Sequence, residues 1–76
     1  MTNTATFTLA QLQKAFDSTI SSDNLLGVRE VVRRRLNANT NYHFEFYDIT
    51  VKFKKDLFQI SAPHLTSQEI LDAINQ

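Results

Sequence analysis

The chain has 76 residues, eight lysines and arginines balanced by eight aspartates and glutamates, no cysteine, one glycine and one proline. That length holds one domain with a modest core, and the missing cysteines exclude disulfides and any thiolate-bound zinc or iron–sulfur centre. The scarcity of glycine and proline argues against a linker or low-complexity tail, so one compact domain over residues 1–76 is expected.

Met1–Thr6 has no basic start and no apolar run, so it does not read as a secretory leader. Its alternating threonines fit either a flexible end or a short edge strand over 1–6. Thr8 and Gln11 then have the spacing of a capping box, with Phe7 and Leu12 as the apolar staple around it. A first helix is expected over about 9–19, with Leu9, Leu12, Phe16 and Ile20 on its inner stripe. A second is expected over about 23–37, where Leu25, Val28, Val32 and Leu36 recur at helical spacing. Its start is contested: Ser21, Ser22 and Asp23 compete as caps, and Gly27 would also suit a helix that begins only after it. Asn37–Asn41 reads as the stop and the loop beyond.

Residues 42–61 alternate apolar and polar side chains, and the phase flips at Tyr47-Asp48 and again at Lys55-Asp56. With a tight turn at each flip, strands at 42–46, 49–54 and 57–61 form a meander. Tyr42, Phe44, Phe46, Ile49, Val51, Phe53, Phe58 and Ile60 then share one face. Leu65-Thr66 with Glu69 and Ile70 repeats the capping-box and staple pattern, and a third helix is expected over about 67–75 with Ile70, Leu71 and Ile74 inward. The expected fold is therefore α+β, in the order α-α-β-β-β-α, with a three-stranded antiparallel meander and helices packed on one face.

The charge is neutral in sum but uneven in place. Residues 28–55 hold seven bases (Arg29, Arg33, Arg34, Arg35, Lys52, Lys54, Lys55) and three acids (Glu30, Glu45, Asp48). The bases of 29–35 do not gather on one helix face, as a groove-reading helix would require; Glu30 and Arg34 form a favourable i,i+4 pair instead. On the outer sheet face His43, Lys52 and Gln59 form one row, Lys54 lies near Leu57, and Tyr47 stands at a turn. The candidate binding residues for a protein partner or a nucleic acid are thus Arg29, Arg33, Arg34, Arg35, His43, Tyr47, Lys52, Lys54 and Lys55. Leu26 and Val31 lie off the helix stripe and Leu57 interrupts the polar sheet face, which makes these three the candidates for an oligomer contact.

Nothing in the chain has the spacing of a nucleophile with its base or of a phosphate loop. His43 and His64 have no carboxylates at ligand spacing, so no catalytic residue, metal or cofactor is expected. The helix–meander–helix order over residues 8–76 is similar to the topology of the double-stranded RNA-binding domain. That family carries lysines at the start of its last helix, where this chain has Thr66-Ser67-Gln68-Glu69, so no residues carry over. The function expected is a small non-enzymatic binding protein that acts by protein–protein contacts on an acidic partner. An inhibitor or adaptor suits this size, including the kind that phages and mobile elements encode against host or defence complexes. The alternatives are a nucleic-acid binder using 29–35 and 52–55, and a structural homodimer. No segment approaches the roughly 18 apolar residues of a membrane span, and a reducing cytoplasm is the expected location.

Overall fold

The computed structural model describes residues 3–16 and 20–76. Strand β1 (Thr4–Thr8) leads directly into helix α1 (Leu9–Phe16), followed by helix α2 (Leu25–Asn39). A single 3-10 turn (Phe46–Asp48) precedes strands β2 (Thr50–Lys54) and β3 (Leu57–Ser61), and helix α3 (Ser67–Asn75) comes last. The architecture is α+β, as expected, with one three-stranded antiparallel sheet and all three helices on one face. Ala5, Phe7, Val51, Phe58 and Ile60 are buried beneath the helices, while Thr6, Thr8, Thr50, Lys52, Lys54 and Leu57 stay exposed on the other side. α2 packs over β2, and α3 over β1.

The β2–β3 hairpin has the register that the alternation implies: Phe53 faces Phe58, Val51 faces Ile60 and Lys52 faces Gln59. Its two-residue turn holds Lys55 and Asp56 at φ 54° and 63°, as the right-handed strand twist demands. Neither residue is at ease there, since left-handed backbone favours glycine and asparagine. Lys55→Asn with Asp56→Gly is expected to raise stability by about 1 kcal/mol, read as a higher urea midpoint at unchanged slope.

The third strand is not where the alternation placed it. Residues 42–46 form no strand, and the sheet order is β1-β3-β2 with β1 paired to β3 (Phe7 opposite Phe58, Ala5 opposite Ile60). The chain order is therefore β-α-α-β-β-α rather than α-α-β-β-β-α, and the basis of the resemblance to the double-stranded RNA-binding domain is gone. Helix α2 supplies the physical reason. The Asn37 side chain accepts from the Phe44 N–H at 2.7 Å and donates to the Phe44 carbonyl at 3.0 Å, so the groups a strand would have offered a neighbour are already satisfied. The Asp48 carboxylate accepts from the Glu45 N–H and the Asp48 N–H donates to the Glu45 carbonyl, winding Tyr47-Asp48 into the 3-10 turn instead of a hairpin turn. Of the eight side chains expected on one inner face, Phe44, Ile49, Val51, Phe58 and Ile60 are buried and Phe53 is partly buried, whereas Tyr42 and Phe46 are exposed.

Helix starts follow the caps. Thr8 and Gln11 exchange both capping-box bonds, at 3.1 and 2.7 Å, and Thr66 and Glu69 do the same at 3.2 and 2.8 Å. For α2 the cap is Asn24, not Ser21, Ser22 or Asp23: its side-chain oxygen accepts from the Gly27 N–H at 3.0 Å. Gly27 lies in the first turn because a Cβ there would come within 2.5 Å of the Asn24 amide nitrogen. α2 runs on to Asn39, past the expected end, as the Asn39 side chain donates to the Ala73 carbonyl and Thr40 caps the Leu36 carbonyl. The expected extension of α1 over 17–19 lies outside the described residues.

Candidate functional site

The α2 arginines share one helix and little else. Arg33 grips both oxygens of Glu30, at 2.9 and 2.7 Å, and reaches the Phe44 carbonyl at 3.4 Å. Arg34 is 72% exposed along its side chain and leans on the same Glu30 at 3.0 Å. Arg35 turns inward. It donates to the carbonyls of Ile74 and Gln76 at the end of α3 and of Ala15 in the last turn of α1, and it lies 4.5 Å from the Phe16 ring centroid. Arg33 and Arg35 are thus committed to holding the fold together. Reversing Arg33 to glutamate would set two carboxylates together and abandon the Phe44 carbonyl, so that change perturbs folding before it reports on a partner.

The guanidinia around Glu30 hold its carboxyl at a pKa of about 2, below the ordinary 4.5, led by the Arg33 hydrogen bonds. A carboxyl whose pKa is depressed by folding stabilises the fold above its unfolded value and loses that contribution as pH falls through its folded value. Acidification from about pH 4.5 to pH 2 should therefore weaken the wild type more than Glu30→Gln. Urea midpoints taken at several pH values would show two curves converging toward acid; parallel curves would contradict it.

Arg29 differs from the other three. Its guanidinium carbon sits 5.0 Å from the centroid of the Phe46 ring, and its Nε is buried without a hydrogen-bond partner. Among the described residues it makes no hydrogen bond and no ion pair, while its terminal nitrogens remain within reach of solvent. Phe46 is 36% exposed, and Tyr47 beside it, at 78%, is the most exposed large apolar side chain described. Leu26, 64% exposed, lies one helical turn before Arg29 and Glu30. The 3-10 turn packs on α2, and Arg29 and Phe46 join the two elements, with Tyr47 next to Phe46 in the turn and Leu26 one helical turn before Arg29. Phe46 is the member the sequence reading missed, since its alternation counted it as core. The Glu45-x-x-Asp48 spacing, which nucleates the turn, was the available signal.

The remaining candidates are dispersed. Lys52 and Lys54 project from the open sheet face, in rows with Gln59 and Leu57, and Lys55 follows in the turn. His43 is not in that row. It lies exposed, 3.5 Å from a Glu45 oxygen, in the segment that forms no strand. Val31 is partly buried against the core and lines a groove with Ile20 and Val28, so Leu26, Val31 and Leu57 lie on three different surfaces and form no common contact.

Among the described residues no three histidine, aspartate or glutamate side chains gather where a metal ion could be held, and no helix is long and apolar enough to cross a membrane. Comparison with protein-family models, with curated proteins and with solved structures finds no match to this chain.

Proposed function

We propose that this is a small non-enzymatic binding protein, an inhibitor or adaptor, that acts through the face formed by α2 and the 3-10 turn. The observation that carries the reading is Arg29, a cation stacked on an exposed aromatic ring and without an acceptor among the described residues. A half-buried guanidinium fixed by stacking loses little freedom when it meets a carboxylate, and it attracts one strongly where water is excluded. Tyr47 and Leu26 supply apolar area around it, in the arginine–aromatic composition that concentrates binding energy at protein interfaces. An acidic protein surface is the matching partner, with a carboxylate over Arg29 and apolar contacts at its flanks.

The test uses a partner captured from nuclease-treated host lysate, purified, and titrated calorimetrically. Arg29→Ala with Tyr47→Ala is expected to weaken binding by about 30-fold or more, the effect of losing a centre of roughly 2 kcal/mol. Lys52→Ala with Lys54→Ala, on the other side of the sheet, should change it by less than about threefold. The reverse order of effects would overturn the reading. So would capture that disappears on nuclease digestion, which would favour contact with nucleic acid through the lysines.

A further inference from the structure

The two outer strands of the sheet are guarded differently. β2 carries Lys52 and Lys54, both exposed, and Lys55 follows it in the turn. Self-pairing of β2 would set lysines near lysines, the usual protection of a free edge. β1, at the other edge, reads Thr4-Ala5-Thr6-Phe7-Thr8, with no charge, no proline and three β-branched side chains.

The backbone of β1 is also oriented for pairing. The Thr8 N–H is taken by Gln11 and its carbonyl, at the N-cap, turns into α1. Neither group therefore serves β3. Because ladder bonds alternate along an antiparallel strand, Phe7 and Ala5 are the residues that bond Phe58 and Ile60, and Thr6 and Thr4 turn their N–H and C=O groups outward. The hairpin agrees. A two-residue turn requires a bonded pair at Lys54 and Leu57, which points the amides of Phe58 and Ile60 toward β1. Beside this free edge runs a groove lined by Thr4, Ala5, Thr6, Ser67, Gln68 and Leu71, again without charge.

We infer that the β1 edge binds a second copy of this chain, antiparallel, about a two-fold axis at Ala5. In that register Thr4 of each copy lies opposite Thr6 of the other. The pairs exchange four backbone hydrogen bonds through the outward groups and stack threonine on threonine on the open face. Ala5 meets its own copy at the close, non-bonded position, where a small side chain is needed. Groove faces groove, and the half-buried Leu71 of each protomer gains apolar cover. The product is one six-stranded sheet, with a symmetric interface that brings no like charges together. It leaves the α2 face free, because α2 lies over β2 at the opposite edge.

The test is sedimentation equilibrium of the whole chain from micromolar to millimolar concentration. The wild type should dimerise. Thr6→Pro removes an N–H that β3 does not use, so it should raise the dimer dissociation constant by about tenfold or more and keep a cooperative unfolding transition. Thr4→Lys with Thr6→Lys sets cations opposite each other and should give monomer, while Thr4→Glu with Thr6→Lys should restore the dimer. A wild type that stays monomeric at millimolar concentration overturns the proposal. A dimer unaffected by both Thr6→Pro and the lysine pair also overturns it, since the contact would then lie elsewhere.

Discussion

Arg35→Ala is expected to lower the unfolding free energy by about 2–4 kcal/mol, from charge-assisted hydrogen bonds lost at two helix ends together with a cation–π contact. In a chain of this size a single core supplies on the order of 3–5 kcal/mol, so the variant should keep only a small part of its stability and melt well below the wild type. The magnitude follows from what one guanidinium holds. Carbonyls at the C-terminal end of α3 have no partner in their own helix, and Arg35 answers Ile74 and Gln76 there, donates to Ala15 of α1 as well, and lies against Phe16. Arg35→Lys should recover less than half of the loss, because one ammonium group cannot span both helix ends as a planar fork does. Urea denaturation followed by circular dichroism measures both. A loss under about 0.5 kcal/mol for Arg35→Ala would mean that water replaces the clamp without penalty.

Asn37→Ala is expected to cost about 2 kcal/mol, because it strands the N–H of a buried residue, Phe44, and leaves its carbonyl only the longer Arg33 contact at 3.4 Å. The loss should also be local. Amide exchange at Phe44 should accelerate by about a hundredfold while the β2–β3 amides keep their relative protection. Asn37→Asp retains the acceptor for the Phe44 N–H and places a carboxylate near Arg33, so it should cost only about 1 kcal/mol. Equal losses for the two variants would show that the donated bond, not the accepted one, anchors the segment.

The same asparagine explains why one strand was misplaced. Wherever an element depends on its own neighbours in sequence, it was legible: the Thr8–Gln11 and Thr66–Glu69 caps, the stripe of α2, and the register of the hairpin through Lys55-Asp56. Alternation over 42–46 was equally plain, but it records only which side chains are apolar, not which groups satisfy the backbone. Asn37, seven residues before Phe44, decided that, and its side chain reads in sequence merely as part of a loop. β1 was legible only in part: the alternating threonines offered a short edge strand over 1–6 beside a flexible end, and an edge strand stands at Thr4–Thr8, but nothing local showed what it pairs with. Its partner lies far along the chain, and Phe7 had an adequate local explanation as a helix staple. The binding residues divide in the same way. A run of bases shows that charge is present, but not that Arg33 and Arg35 have internal acceptors while Arg29 has none among the described residues.

The pairing of β1 with β3 also orders events in time. β1 is made first, yet its register partner Phe58 follows most of the chain later. At about 5–20 residues per second, several seconds of synthesis separate the two. The hairpin closes in microseconds once both arms exist, whereas β1 must wait and then close the longest loop between paired strands, so it docks late. Until then an uncharged, threonine-rich segment that includes Phe7 is exposed on every nascent chain. Chains crowded on one message would present that segment to each other before β3 is made, so the rate of elongation would help decide whether β1 meets its own β3 or a neighbouring chain first.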